Sequence, residues 1–187
     1  MNSIKIKLTK ENDFTNIMDV EKQAFGYDKE AKLVADLLKD KTAEPMVSLL
    51  AFHDKEAIGH ILFTRAYFYG QKEQPMMHIL APLAIKPKYQ NQGIGGLLIQ
   101  TGLKLLQKKG SKLVFVLGHK EYYPKFGFIP GAESKGYLPP YPILEEYKDS
   151  WMVQSLNEKG FDIGKGKIMC CIELNKPEHW RDDESDR

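Results

Sequence analysis

Polar and apolar positions alternate at the start of the chain, where Lys5 and Lys7 separate Ile4, Ile6 and Leu8, and this period of two predicts a half-buried strand. The period then lengthens. Phe14, Ile17, Val20 and Ala24 share one helical face, with Thr9 as the expected N-cap. Leu33, Val34, Leu37 and Leu38 form the stripe of a second helix over 29–39, in a helical region closed by Pro45. The stretches Val47–His53 and 57–67 flank the turn residues Asp54 and Lys55 and predict a hairpin. Residues 76–85 are nearly continuous apolar sequence, as in a strand buried on both faces. Helical spacing returns at Ile94, Leu97, Leu98, Thr101 and Leu105, and Gly110 stands where a C-cap belongs. Another buried strand occupies 112–118, so 77–118 reads as a strand, glycine-rich turn, helix and strand joined in a right-handed crossover.

The last third is less regular. HKEYYPKFGFIPG predicts a short helix that breaks at Gly127, and ESKGYLPPYPILEEYKD a loop rich in proline and aromatic residues. SWMVQSL and KIMCCIEL predict two further strands, joined as a closing hairpin. Residues 177–187 are expected to be a charged, frayed tail beyond a single domain spanning 1–176.

At 187 residues the chain is long enough for one full core. Its formal charge of +2, without a long basic block, gives no reason to expect nucleic acid or an anionic membrane as partner. No apolar run approaches the ~20 residues of a membrane span, and the N-terminus lacks the apolar core of a signal peptide. The adjacent pair Cys170 and Cys171 is badly placed to bridge and suits a reducing compartment, so the expected location is cytoplasmic. The five histidines show no metal-ligand spacing, and no metal is expected.

The sharpest chemistry lies in KPKYQNQGIGGLLIQTG. Glycines after a buried strand let successive N–H groups at a helix start converge on an anion. A Walker A loop is excluded because GGLL lacks lysine and hydroxyl at the helix start, and a dinucleotide fingerprint because Leu98 stands where glycine or alanine is required. The pattern Gln/Arg-x-x-Gly-x-Gly/Ala is matched by Gln90, Gly93 and Gly95. On this loop, and on the Tyr-x-x-x-Gly-Phe segment from Tyr123 to Phe128 that follows the next strand, the chain resembles the GNAT superfamily of acetyl-CoA-dependent N-acetyltransferases, in its predicted bacterial-type branch. The resemblance spans roughly 4–175.

It implies an α/β (α+β) fold: a single domain with a mixed, mostly antiparallel central sheet, flanking helices and a splayed fourth and fifth strand pair. It implies acetyl-CoA as co-substrate, bound by Gln90, Asn91, Gln92, Gly93, Ile94, Gly95 and Gly96 at the pyrophosphate, with Tyr123 and Phe126 nearby. Proline cannot donate to a ladder, so Pro82 inside an otherwise central strand predicts a bulge. In the family the pantetheine arm enters beside such a bulge, which assigns it to the backbone of Leu83, Ala84 and Ile85. Tyr123 takes the role of general acid toward the departing thiolate.

The base is less legible. His119 is the candidate nearest Tyr123, with His60, His78 and Glu21 as others. For the acceptor, the first two helices and the late loop offer Glu21, Tyr137, Tyr141 and Glu145. The expected reaction moves an acetyl group to a primary amine, small molecule or peptide, by direct attack in a ternary complex of a monomer or homodimer. The alternative is a non-catalytic acyl-CoA-binding sensor or interaction module on the same fold.

Overall fold

The computed structural model of the protein describes residues 4–180. It begins in the predicted order: β1 (Ile4–Leu8), α1 (Phe14–Phe25), α2 (Lys29–Leu37), β2 (Val47–His53), β3 (Glu56–Phe68), β4 (Met77–Ile85), α3 (Ile94–Lys108) and β5 (Leu113–Leu117). Then come β6 (Ile129–Pro130), β7 (Tyr137–Leu138), β8 (Trp151–Ser155) and β9 (Gly166–Cys170). These nine strands make one mixed sheet whose main path runs β1-β2-β3-β4-β5-β8-β6, while β9 pairs with β3 and β7. β4 and β5 run parallel on either side of the α3 crossover, β7 and β9 form the other parallel pair, and the remaining pairs are antiparallel.

The alternation of side chains along the strands sorts the core into two layers. On one face Leu50, Leu62, Ile79 and Phe115 pack with Ile17 and Val20 of α1 and Val34 and Leu37 of α2. On the other, Leu49, Ile61, Phe63, Leu80 and Val116 pack with Ile94, Leu98 and Leu106 of α3. Among the described residues no helix is long and apolar enough to cross a membrane.

Four local expectations need correction. Thr9 does not cap α1: a 3-10 turn at Glu11–Asp13 precedes that helix, and Asp13 accepts the Lys10 N–H at 2.9 Å. The buried face of α3 is Ile94, Leu98, Gly102 and Leu106 with Ile99 and Leu103, whereas Leu97 is 46% exposed. The helix is turned so that Gly102 meets the Phe63 ring, which a Cβ there would strike. β8 and β9 are strands but not a hairpin: β8 lies between β5 and β6, while β9 pairs Ala66–Phe68 at the far end of β3. Finally, Pro177–His179 forms a 3-10 turn, and Trp180 donates its Nε1–H to the Leu174 carbonyl at 2.8 Å, so the start of the charged tail is docked. Residues 181–187 lie outside the described residues. Gly110 does close α3 as expected, with φ of 88° and the Ser111 N–H bonded to the Leu106 carbonyl at 3.0 Å.

Candidate active site

The site starts from a break in the sheet. Between Ile61 and Phe63 the register with β4 jumps from Leu83 to Leu80, so Ala81 and Pro82 together oppose Leu62. This is the bulge that Pro82 predicts. β4 pairs with β5 only over Met77–Leu80, opposite Leu113–Val116, and the two strands part at the bulge. Leu83, Ala84 and Ile85 therefore keep β3 on one edge, and no strand among the described residues takes the other. A free edge of this kind can accept an extended chain carrying amides.

Beyond β4 the chain turns through Pro87–Tyr89 into the glycine run. Asn91 and Gly93 both have positive φ, 59° and 80°, and α3 begins at Ile94. Among the described residues, none of the backbone N–H groups from Asn91 to Gly96 has a backbone partner; the first to find one is Leu97, which donates to the Gly93 carbonyl at 3.1 Å. A Cβ at Gly93 would meet nothing within 4 Å, so this glycine serves the left-handed backbone and leaves open space over the turn. Gln90 and Gln92 brace the loop, each donating through Nε2 at 3.0 Å, to the carbonyls of Ile85 and Lys88. The turn thus presents a run of N–H groups without a backbone partner among the described residues at a helix N-terminus, suited to a phosphate group.

Gly95 and Gly96 do something different. A Cβ on Gly95 would strike the Tyr122 hydroxyl, and one on Gly96 would come within 2.6 Å of the Phe126 ring. These glycines let α3 dock against the segment after β5, and Phe126 meets the helix there. In that segment Tyr123–Phe126 is a 3-10 turn ended by Gly127 at φ 97°. Gly118 lies under the Tyr123 ring, which a Cβ there would strike. Phe128 packs edge-on to the same ring with centroids 5.7 Å apart. Tyr123 is 9% exposed, and burial, with Tyr122 second, pushes its phenol above the ordinary range. The hydroxyl stays protonated at neutral pH, as a proton donor must.

Tyr123 lines a cavity of about 420 Å³ at the split, together with Leu80, Ala81, Pro82, Leu83, Gly118 and His119. The exposed His119 thus sits beside Tyr123, as the sequence suggested. The opposite wall comes from Phe25, Glu30 and Leu33, and from Leu174, Glu178, His179 and Trp180 near the C-terminus. His60 and His78 are fully buried and turned elsewhere: His60 lies between Glu21 at 2.5 Å and Ser48 at 2.9 Å, and His78 between Pro45 and Ser111.

The acceptor residues named from the sequence are corrected by this arrangement. Glu21 is sealed under α1 against His60, because the helix face that carries Ile17 and Val20 carries it too. Tyr137 is 1% exposed within an aromatic stack with Phe115 and Phe68. Tyr141 donates to the Asn175 carbonyl at 2.8 Å, and the exposed Glu145 pairs with Lys148; neither lines the cavity. Sequence reasoning missed Glu30, Leu174 and Trp180. Glu30 follows the short turn between the first two helices, a region the resemblance marks for the acceptor; Leu174 ends the segment KIMCCIEL, which reads only as a strand, and Trp180 falls in the tail expected to fray.

Residues 14–128 match the acetyltransferase (GNAT) family, and the chain belongs to it. Over 163 residues it is 53% identical to the uncharacterized N-acetyltransferase YjhQ of Escherichia coli strain K12, covering 87% of this chain and 90% of that protein. The crystal structure of the Escherichia coli GNAT family N-acetyltransferase YhbS in complex with CoA superposes with a TM-score of 0.84 at 26% identity, covering 94% of both chains. A GNAT family acetyltransferase from Brucella melitensis in complex with acetyl-CoA shares the fold, with a TM-score of 0.73 at 24% identity over 93% of this chain and 99% of that one.

Proposed function

We propose that the protein transfers an acetyl group from acetyl-CoA to a primary amine by direct attack within a ternary complex. The observation that carries this reading is the convergence of three features on one split in the sheet: the run of N–H donors without a backbone partner, the free edge of Leu83–Ile85 and the protonated Tyr123. The turn takes the pyrophosphate, and the β4 edge takes the amides of the pantetheine arm. The thioester then lies in the cavity beside Tyr123. Bound CoA in YhbS, whose fold this chain shares, supports the assignment of the donor. The amine lone pair forms the new C–N bond, the C–S bond breaks, and the Tyr123 hydroxyl supplies the proton that the leaving sulfur takes up. His119, exposed at the mouth of the cavity, is the candidate to receive the proton that the amine sheds.

Calorimetry with acetyl-CoA and thiol release across a panel of amines test this reading together. Acetyl-CoA should bind, at least one amine should be turned over, and Tyr123→Phe should lower kcat about 10²-fold with the acetyl-CoA Kd unchanged. Binding without turnover of any amine would leave a sensor module in its place.

A further inference from the structure

We infer that the acceptor is a primary amine carrying one apolar body, aliphatic or aromatic, whose ammonium rests on Glu30; this builds on the acetyl-transfer reading above. Glu30 is the second residue of α2 and lines the cavity that holds Tyr123 and the β4 bulge. Its Oε1 accepts the Tyr27 hydroxyl at 3.3 Å, while its Oε2 is buried with no hydrogen-bond partner among the described residues. A carboxylate oxygen withdrawn from water needs a donor, and an ammonium supplies charge-assisted ones. Among the described residues, Lys29, Glu178, His179 and His119 are the other charged or titratable groups that line this cavity besides Tyr123. Burial lowers the His179 imidazole, so it adds no charge at neutral pH. Among the described residues that line the cavity, Glu30 and Glu178 outnumber Lys29, and that balance favours a cation.

The rest of the pocket shows what that cation carries. A second cavity of about 640 Å³ adjoins the first and shares Leu117, Gly118, His119 and Trp180 with it. Its remaining lining is Pro142, Ile143, Leu144, Tyr147 and Ser150. Leu117, Leu144 and Tyr147 are 40%, 60% and 43% exposed, an apolar surface that the fold leaves open beside the reaction centre. Among the described residues no carboxylate lines this second cavity, so a further ammonium group of a polyamine finds no carboxylate partner there, and Tyr147 and Ser150 are the side-chain hydroxyls it offers an amino sugar. An amine seated at the thioester thus extends its apolar part past His119 onto Trp180, Ile143 and Leu144.

Phenethylamine and hexylamine, compared with spermidine and glucosamine in the thiol-release assay, provide the test. The first two should exceed the others in kcat/KM by about tenfold or more. Glu30→Gln should raise KM for phenethylamine about tenfold while the acetyl-CoA Kd stays within about twofold. Leu144→Asp alters a side chain that is 60% exposed and leaves the core intact. It should cut the phenethylamine-to-spermidine preference about fivefold, because it offers a second ammonium a partner. Preference for spermidine or glucosamine, an unchanged KM in Glu30→Gln, or an unchanged preference in Leu144→Asp would overturn this inference while leaving acetyl transfer intact. Bound acetyl-CoA with no amine turned over would overturn both.

Discussion

His78 shows how a buried side chain on β4 makes the fold sensitive to acid. Its Nε2 lies 2.7 Å from the Pro45 carbonyl, which can only accept, so Nε2 carries the proton and Nδ1 accepts the Ser111 hydroxyl at 2.8 Å. Burial lowers the imidazole pKa from 6.5 to about 4. The unfolded chain therefore takes up a proton on this residue below about 6.5, and the folded chain only below about 4. Between those values stability falls as pH falls, at up to about 1.4 kcal/mol per pH unit from this group. Urea unfolding at pH 7, 6, 5 and 4 should show a shallower loss for His78→Gln than for the unsubstituted chain. Equal slopes would mean that the imidazole does not stay neutral. Glu21 presents the complementary case, in which burial pushes an acid upward, opposed by His60. Its Oε2 has no partner among the described residues, so removing His60 would orphan both oxygens of a sealed carboxyl.

The glycines around the start of α3 have separable roles, because Gly93 sits in the turn before the helix and the others lie inside the packed helix. Gly96→Ala must displace the Phe126 ring, which lies 2.6 Å from the new Cβ, and should lower unfolding free energy by about 1–3 kcal/mol. Gly93→Ala meets open space but keeps a φ of 80°, which should cost about 1–2 kcal/mol while weakening acetyl-CoA far more than Gly96→Ala does. Denaturant unfolding and calorimetry on both variants check this, and equal loss of binding would deny the turn a separate role. The first five strands and three helices were legible because each carries an alternating, helical or continuous apolar pattern bounded by turn residues. β6 and β7, two residues each, are too short to show a period. The pairing of β9 with Ala66–Phe68 joins segments about a hundred positions apart, and no local pattern encodes it. Among the site residues, the turn and Tyr123 were legible through motif spacing. Glu30 was not, since a carboxylate near a helix start reads as solvated until tertiary packing seals one of its oxygens.

At the scale of the whole molecule, the wall facing Tyr123 is assembled from opposite ends of the chain. Asp40 holds them together: its Oδ1 accepts the Thr42 N–H at 2.8 Å, and its Oδ2 accepts the Glu173 N–H at 2.9 Å. Thr42 Oγ1, itself donating to Asp40 at 2.6 Å, accepts the Ile172 N–H at 2.9 Å. Burial alone would raise the Asp40 carboxyl, yet these donors hold it below its ordinary value. The segment so fixed carries Leu174 into the cavity and leads to Trp180, whose ring meets Trp151 edge-on at 5.9 Å and Tyr141 at 6.5 Å. The donor turn belongs to α3 and shares none of these bonds, so the two halves of the site should respond differently to one substitution. Asp40→Ala should cost about 1–2 kcal/mol of stability. It should also speed hydrogen exchange at the Ile172 and Glu173 amides and raise the KM for the amine. The acetyl-CoA Kd should not change. If exchange at those amides and the KM both stayed fixed while stability fell, the Trp180 packing alone would hold the wall, and Asp40 would count only as a cap for the turn at Lys41–Ala43.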